Sequence, residues 1–207
     1  IAGRDLADAP DAVRADCPAW CIPQLEEAFG ADWVAEAAAL ASRPPLDLRV
    51  NTLAASRDKV LAELASTGAA LSPLARNGIR IPPIEGSGRH PNVQAEPAFR
   101  KGWFEVQDEG SQLAAELAGS APAMQVLDYC AGAGGKTLAM AATMENRGQL
   151  FAFDADKQRL APIFDRLKRA GTRNVQAFVD PARLEAVAGQ CELVMVDAPC
   201  TGSGTWR

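Results

Sequence analysis

Residues 125 to 142 constrain the fold of this chain more than any other segment. The apolar strand Gln125-Val126-Leu127 ends in Asp128, and a loop with three glycines follows it. The helix-forming run Leu138-Ala139-Met140-Ala141-Ala142 comes soon after the loop. Glycines lack a Cβ, so they let a ligand approach backbone N–H groups closely. A strand, a glycine-rich turn and a helix in this order are typical of the first unit of a nucleotide- or cofactor-binding α/β sheet.

The glycine spacing misses both common phosphate-binding motifs by one residue. The phosphate loop G-x-x-x-x-G-K-[ST] fits Gly135-Lys136-Thr137 but has Cys130 at its opening position. The dinucleotide motif G-x-G-x-x-G fits Gly132 and Gly134 but has Thr137 in its last position. A ligand without phosphates, such as S-adenosylmethionine, therefore fits better, while another nucleotide stays open. The predicted cofactor contacts from the loop are Cys130, Ala131, Gly132, Ala133, Gly134, Gly135 and Lys136.

Four apolar segments that read as strands each end at an acidic residue. Ligands of open α/β sheets lie at the carboxyl ends of the strands, so these four side chains are predicted to point at one cofactor crevice. The second of them follows the glycine loop by about twenty residues, the spacing at which an acidic side chain accepts hydrogen bonds from ribose hydroxyls. A helix cap or turn is the alternative role for any one of them. The four residues are Asp128, Asp154, Asp180 and Asp197.

Two motifs resemble those of the Nop/Sun family of RNA cytosine-5 methyltransferases, and the bacterial ribosomal RNA enzymes of that family are the nearest match. They are Asp128-Tyr-Cys-Ala-Gly-Ala-Gly-Gly-Lys-Thr137 and Asp197-Ala-Pro-Cys-Thr-Gly-Ser-Gly-Thr-Trp-Arg207. The segment from Phe104 to Leu113 is similar to the lead into the family's catalytic domain. The segment from Pro44 to Leu53 resembles the start of its small RNA-binding domain, so the resemblance spans residues 17–207.

The resemblance implies an enzyme that uses S-adenosylmethionine to methylate C5 of a cytosine in RNA, with ribosomal RNA preferred over transfer RNA. It implies an α/β fold, with the first four strands of a Rossmann-like class I methyltransferase sheet after a small α+β ferredoxin-like RNA-binding domain. The expected organisation is a tail and helical segment in residues 1–42, the RNA-recognition domain and a linker in 43–101, and the methyltransferase domain in 102–207.

The chain departs from the family pattern in two places. The family loop usually reads Cys-Ala-Ala-Pro-Gly-Gly-Lys, and here Ala131-Gly132-Ala133 replaces Ala-Ala-Pro. This change frees the backbone, so we expect weaker cofactor binding on an unchanged fold. The sequence also stops at Arg207. According to the resemblance, the nucleophilic cysteine belongs to a Thr-Cys pair in a later loop, so we expect the natural protein to be longer.

Cysteine carries the chemistry that the resemblance implies. A thiolate that adds to C6 of cytosine raises the electron density at C5, which then attacks the sulfonium methyl group, and loss of the C5 proton expels the thiol. Cys200 follows a strand end and could be that nucleophile by position, but the resemblance assigns it the release of the methylated RNA. Asp197 is then expected near the methionine amino group of the cofactor or the cytosine amine. The alternative for Cys200 is an inert thiol.

The charge of the chain is unevenly distributed, although its formal net charge is −5. Residues 43–101 carry nine basic and five acidic side chains, a net charge of +4, and this segment is where an RNA backbone would be steered. Within it, Leu46 to Val50 alternates like a half-buried strand, so Arg49 is expected to face away from the core. Arginine pairs with phosphate and asparagine reads base edges. The predicted RNA contacts are Arg49, Asn51 and Arg57.

Composition argues against several other classes of protein. Cys17 and Cys21 are not spaced like a zinc knuckle, and His90 is the only histidine, so we expect no metal. No apolar run approaches the length of about 18 residues that a membrane span requires. Five cysteines without a secretory segment indicate reduced thiols and a cytoplasmic protein, which we expect to be a monomer.

Several further elements are predicted from local pattern. They are helices across 23–40 interrupted at Gly30, a helix capped by Ser56, strands at 69–74 and 78–81, a linker at 92–102 and one helix across 156–170.

Two functions of different classes remain open at this point. One is the RNA methyltransferase, and the other is a nucleotide- or RNA-binding protein of the same fold without methyl transfer. The fold cannot separate them, because many functions share this sheet. The segment Asp197-Ala198-Pro199-Cys200 favours the enzyme, since a binding module has no use for it.

Overall fold

A computed structural model describes residues 6–84, 88–200 and 202. The described chain divides into two compact units, residues 45–199 and residues 6–44 with Cys200 and Gly202. The helices are α1 (Asp11–Arg14), α2 (Ile22–Phe29), α3 (Trp33–Ala41), α4 (Arg57–Glu63), α5 (Pro97–Arg100), α6 (Glu109–Leu117), α7 (Gly135–Thr143), α8 (Lys157–Leu160), α9 (Ile163–Ala170) and α10 (Ala182–Val187). The strands are β1 (Leu46–Val50), β2 (Ala70–Leu71), β3 (Gly78–Ile81), β4 (Phe104–Val106), β5 (Gln125–Asp128), β6 (Gln149–Phe153), β7 (Val175–Phe178) and β8 (Leu193–Met195).

The N-terminal unit is a small helical cluster. Helix α2 ends where Gly30 adopts a φ of 56°, which confirms the predicted break. Ala15, Trp33 and Ala37 are buried together. Part of the segment expected to be a tail and helices, at Ala15, therefore contributes to a small core.

Strands β1 to β4 form an antiparallel sheet in the order β2-β3-β1-β4. Its core contains Leu48, Val50, Ile79, Ile81 and Phe104. Strand β4 follows the domain boundary predicted between residues 101 and 102, yet it pairs with β1. The segment predicted as a linker also belongs to this part of the fold, since it contains α5 and buries Val93 and Ala98 in the same core.

Strand β2 is shorter than the strand predicted across residues 69–74. It ends at Leu71. The next residue, Ser72, donates its hydroxyl hydrogen bond to the carboxylate of Glu109, and Pro73 has no N–H for the strand ladder. Helix α4 has the predicted N-cap, because the Ser56 hydroxyl accepts from the amide N–H of Lys59 at 3.3 Å.

Strands β5 to β8 form a parallel sheet in the order β7-β6-β5-β8. All four predicted strands are present, which confirms the α/β fold class. The single helix predicted across 156–170 is instead α8 and α9. Pro162 occupies the N-cap position of α9, and it has no N–H to continue the hydrogen-bond ladder of α8.

The second face of the small sheet is polar and buried. Asp47, Arg49, Glu105 and Gln107 expose 3 to 7% of their surface. The alternation of β1 correctly separated Arg49 from the core of Leu48 and Val50. Arg49 is nevertheless buried, because this face packs within residues 45–199 against side chains of α9.

Candidate active site

The loop between β5 and α7 is held by hydrogen bonds that its backbone amides donate. The amide of Ala131 donates to the carbonyl of Phe153, and that of Gly132 donates to Oδ2 of Asp154, both at 2.9 Å. Gly132 and Gly134 have φ values of 49° and 85°. A Cβ on Gly134 would lie 2.5 Å from Cγ1 of Ile163, so this position needs glycine for space as well as conformation.

Asp128 lies at the base of this loop and is 1% exposed. Its Oδ2 accepts a hydrogen bond of 2.6 Å from the Thr137 hydroxyl, while its Oδ1 is buried without a partner among the described residues. Burial raises the pKa of Asp128 to about 6, and the nearby carboxylates of Asp197 and Asp154 act in the same direction. The Thr137 hydrogen bond and the charge of Lys136 oppose this increase.

Asp154 is also buried, at the end of β6. Its two oxygens accept from the amides of Gly132 and Asp156, each at 2.9 Å. A carboxylate has about four acceptor positions, so two remain for a ligand after these bonds. Sequence reasoning placed this residue correctly at a strand end but did not foresee that it also fixes the glycine loop.

Lys136 connects the glycine loop to the segment after β8. Its Nζ lies 2.6 Å from Oδ2 of Asp197, and the Lys136 side chain is 13% exposed while that of Asp197 is 55% exposed. The two motifs that carry the family resemblance therefore contact each other. Asp180 is exposed, as Asp197 is, and it accepts from the amide of Ala182 at the start of α10.

Three aromatic rings extend along the carboxyl edge of the parallel sheet. The ring centroids of Tyr129 and Phe153 are 5.3 Å apart, and those of Phe153 and Phe178 are 5.8 Å apart. Tyr129 is 42% exposed, so its ring offers an apolar surface beside the loop. The prediction omitted Tyr129, although an aromatic residue directly after a strand-end aspartate was a usable signal.

The cysteines of the predicted site have different surroundings. Cys130 is half-buried, and its burial and the charges of Asp154, Asp128 and Asp197 raise the pKa of its thiol. Cys130 is therefore poorly suited to act as a thiolate near neutral pH. Cys200 is exposed, and its Sγ accepts from the amide of Gly202 at 3.4 Å. Thr201 and residues 203–207 of the same motif lie outside the described residues.

Two of the three predicted RNA contacts are engaged inside the fold. Nε of Arg49 donates to Oε1 of Gln107 at 2.6 Å, and burial lowers the pKa of Arg49 to about 10. Nδ2 of Asn51, which is 2% exposed, donates to the carbonyls of Gly102 and Ala170. Their assignment as RNA contacts needs correction, because neither side chain has a free surface. Arg57 is partly exposed and donates to the carbonyl of Arg76 at 2.6 Å.

Other classes of site receive no support from the described residues. Within that part of the chain, no three His, Cys, Asp or Glu side chains come close enough together to hold a metal ion. Among the helices that the structure describes, none has both the length and the apolar character of a membrane span.

Two family models match this sequence. The model of the 16S rRNA methyltransferase RsmB/F matches residues 117–207, and that of the RsmF/B-like ferredoxin-like domain matches residues 17–83. The chain belongs to the RsmB/F methyltransferase family. The resemblance to the bacterial ribosomal RNA enzymes and the ferredoxin-like character of the small domain are thereby confirmed.

Individual relatives of this RsmB/F chain agree with the family models. Ribosomal RNA small subunit methyltransferase B of Pseudomonas syringae pv. tomato is 32% identical, and the match covers 94% of this chain and 43% of that protein. The crystal structure of PH0851 is 32% identical with a TM-score of 0.84 and covers 94% of this chain and 44% of that one. A methyltransferase homolog from Pyrococcus horikoshii is 26% identical with a TM-score of 0.77, covering 92% and 62%. The chain thus spans less than half the length of the curated relative.

The RsmB/F chain contains one more contact to the glycine loop that sequence reasoning missed. Nη1 of Arg166 donates to the carbonyl of Ala133 at 2.8 Å, and the same guanidinium pairs with Glu105 of β4. Arg166 lies in a helix rich in charged residues, where nothing in the local pattern distinguishes it from its neighbours. Glu105 and Arg166 are 61 residues apart in the sequence, so no local pattern could pair them.

Proposed function

We propose that this chain provides the methyl-donor site of an S-adenosylmethionine-dependent enzyme that methylates C5 of a cytosine in ribosomal RNA. The observation that carries the proposal is the charge around the glycine loop. The carboxylates of Asp128, Asp154 and Asp197 share this site, and its one lysine, Lys136, is already paired with Asp197. Among the described residues the charge of Arg159 also reaches the loop, at Cys130, so two cations accompany three carboxylates. A phosphate group would meet this net negative charge, whereas a ligand with a sulfonium and an ammonium group is attracted.

The residues present fit S-adenosylmethionine. Oδ1 of Asp128 is a buried acceptor with no partner in the described chain, and Asp154 retains acceptor positions for two ribose hydroxyls. The exposed ring of Tyr129 offers a surface for an adenine base. When bound, S-adenosylmethionine supplies a methyl group on a positively charged sulfur. The chain's own residues bind and orient it, with Asp197 proposed for its amino group or for the amine of the cytosine.

The proposal that the substrate is ribosomal RNA is supported by the family match and by the basic side chains of the small domain. The name of the Pseudomonas relative and the family model both specify small-subunit ribosomal RNA. We propose that basic side chains around Arg57 on the small domain contact the RNA backbone, in place of the buried Arg49 and Asn51. A base that is methylated at C5 must be unstacked or already single-stranded.

Titration calorimetry with S-adenosylmethionine tests the methyl-donor site directly. We expect the chain to bind S-adenosylmethionine and to bind ATP far more weakly, because the triphosphate meets the carboxylates. Asp154→Asn should weaken the first interaction, and Asp180→Asn shows whether the exposed fourth acid takes part. Equal or tighter binding of ATP would support the alternative, a nucleotide-binding protein without methyl transfer. Absence of S-adenosylmethionine binding by the folded chain would overturn the proposal.

The covalent mechanism predicts a specific trapped species. In a protein that carries this chain together with the Thr-Cys loop of the family, Cys200→Ser should leave S-adenosylmethionine binding unchanged. It should also accumulate a covalent protein–RNA adduct, because the proposed role of Cys200 is to release the methylated RNA. Denaturing electrophoresis with labelled RNA measures this, and Cys191→Ser is the matched control. Normal turnover without an adduct would contradict the release role.

A further inference from the structure

Arg166 joins the small antiparallel sheet to the glycine loop through a single guanidinium. Its Nη1 donates to the Ala133 carbonyl at 2.8 Å, while its Nε and Nη2 donate to Oε2 of Glu105 at 3.1 and 3.0 Å. The planar fork of an arginine places donors on two edges, so it holds both partners at once. A lysine in the same position could satisfy only one of them well.

The Glu105 end of this connection is rigidly held. Glu105 is 3% exposed, lies in β4 and faces Arg49 across the ladder with β1. Its other oxygen accepts from Nη2 of Arg169 at 2.5 Å. A buried carboxylate surrounded by three arginines has little freedom to move. Arg166 therefore differs from an ordinary surface arginine, whose ion pairs contribute little.

At the other end of the connection, Arg166 contacts a glycine-rich segment that is costly to order. Ala133 lies between Gly132 and Gly134, two residues whose positive φ values only glycine adopts without strain. Such a segment loses much conformational entropy when it is fixed. A second side chain of the small sheet lies beside it, since a Cβ on Gly135 would be 3.5 Å from Nε2 of Gln107. Arg49 in turn donates to Oε1 of Gln107.

We propose that Arg166 is a positioning residue that fixes the glycine loop in its ligand-binding geometry, and that Glu105 makes the small sheet a structural part of the methyl-donor site. The identity of the ligand rests on the proposed function, but the support of the loop does not. The small sheet then supports the cofactor loop in addition to the RNA contact proposed for its domain, because Glu105 holds Arg166 and Arg49 holds Gln107. Binding is strengthened because the loop is ordered before the ligand arrives.

The chain offers a matched pair of variants for the test. Arg166→Met and Arg169→Met each remove one arginine from Glu105, but only Arg166 touches the loop. Arg166→Lys keeps the charge but places all of its N–H donors on a single nitrogen. Hydrogen–deuterium exchange of the peptide covering residues 130–137 in the ligand-free chain measures loop order, and calorimetry measures affinity for S-adenosylmethionine. Melting temperatures show whether the variants are equally folded.

We expect Arg166→Met to speed exchange in the loop and to weaken S-adenosylmethionine binding by about tenfold, the effect of losing one hydrogen bond to a charged group. Arg166→Lys should recover part of both, and Arg169→Met should change neither beyond about twofold. Equal effects of the two methionine variants, or unchanged exchange in Arg166→Met, would overturn the inference. If the parent chain does not bind S-adenosylmethionine, the proposed function fails, whereas the exchange comparison still decides the role of Arg166.

Discussion

At the scale of single residues, the buried carboxylate of Asp128 lowers stability near neutral pH, although its charge is proposed to attract the ligand. Its carboxyl is buried at the end of β5, one oxygen lacks a partner, and its pKa is raised to about 6. The folded chain therefore holds a proton on Asp128 at pH values where the unfolded chain, with an ordinary pKa near 3.9, has released it. Stability from this group is fully present below about pH 4 and is lost as the pH rises to about 6.

We predict that Asp128→Asn is more stable than the parent chain at pH 7.5, by on the order of 2 kcal/mol, and equally stable near pH 4. The amide resembles the protonated acid and can still accept the Thr137 hydrogen bond, but it loses the charge that a cationic ligand needs. Thermal unfolding across this pH range measures the difference, with the exposed Asp180→Asn as the control. A parent chain and variant with parallel pH profiles would show that the pKa of Asp128 is not raised.

At the scale of elements, sequence pattern predicted the parallel strands and their acidic ends because both are local properties. The apolar runs and the residues that follow them can be read along the chain, as at Asp128 and Asp154. The burial of Arg49 could not be predicted in this way. Alternation shows which side of β1 it occupies, but burial depends on α9, which lies more than a hundred residues later. The same limit concealed Arg166 and the pairing of β4 with β1.

Gly132 and Gly134 in the glycine loop allow the cost of backbone strain to be measured separately from the cost of a steric clash. Both Gly132 and Gly134 have positive φ, but a Cβ on Gly132 would have only Asp154 Oδ2 nearby, at 4.0 Å. We predict that Gly132→Ala costs about 1 kcal/mol of unfolding free energy, from backbone strain alone. Gly134→Ala should cost about 3 kcal/mol, because its Cβ also collides with Ile163.

Urea denaturation of both glycine variants measures these costs, and the Ile163→Ala background supplies the control. In that background the collision is removed, so Gly134→Ala should cost no more than Gly132→Ala. Equal costs for the two glycine variants in the parent chain would mean that the loop moves away from α9 without difficulty.

At the scale of the whole molecule, the proposed function requires that an acidic chain attract RNA to one region. Two lysines of the positive segment, Lys59 and Lys101, lie 4.0 and 5.0 Å from the ring centroid of Trp103. Among the ion pairs of the described residues neither lysine takes part, so both charges are available. Two like charges near one ring repel each other, and a phosphate group bound nearby would relieve that repulsion.

We predict that Lys59→Gln and Lys101→Gln each weaken binding of single-stranded RNA and each reduce the slope of log affinity against log salt by about 0.7, the value for one phosphate contact. Fluorescence anisotropy at several salt concentrations measures the slope, and the intrinsic fluorescence of the chain verifies that it stays folded. Arg147→Gln is the control, because Arg147 is exposed but already paired with Glu145. If all three variants shift affinity alike, RNA responds only to the net charge of −5 and the lysine pair on Trp103 is not a contact. A loss confined to the lysine variants would instead place the RNA backbone beside Trp103.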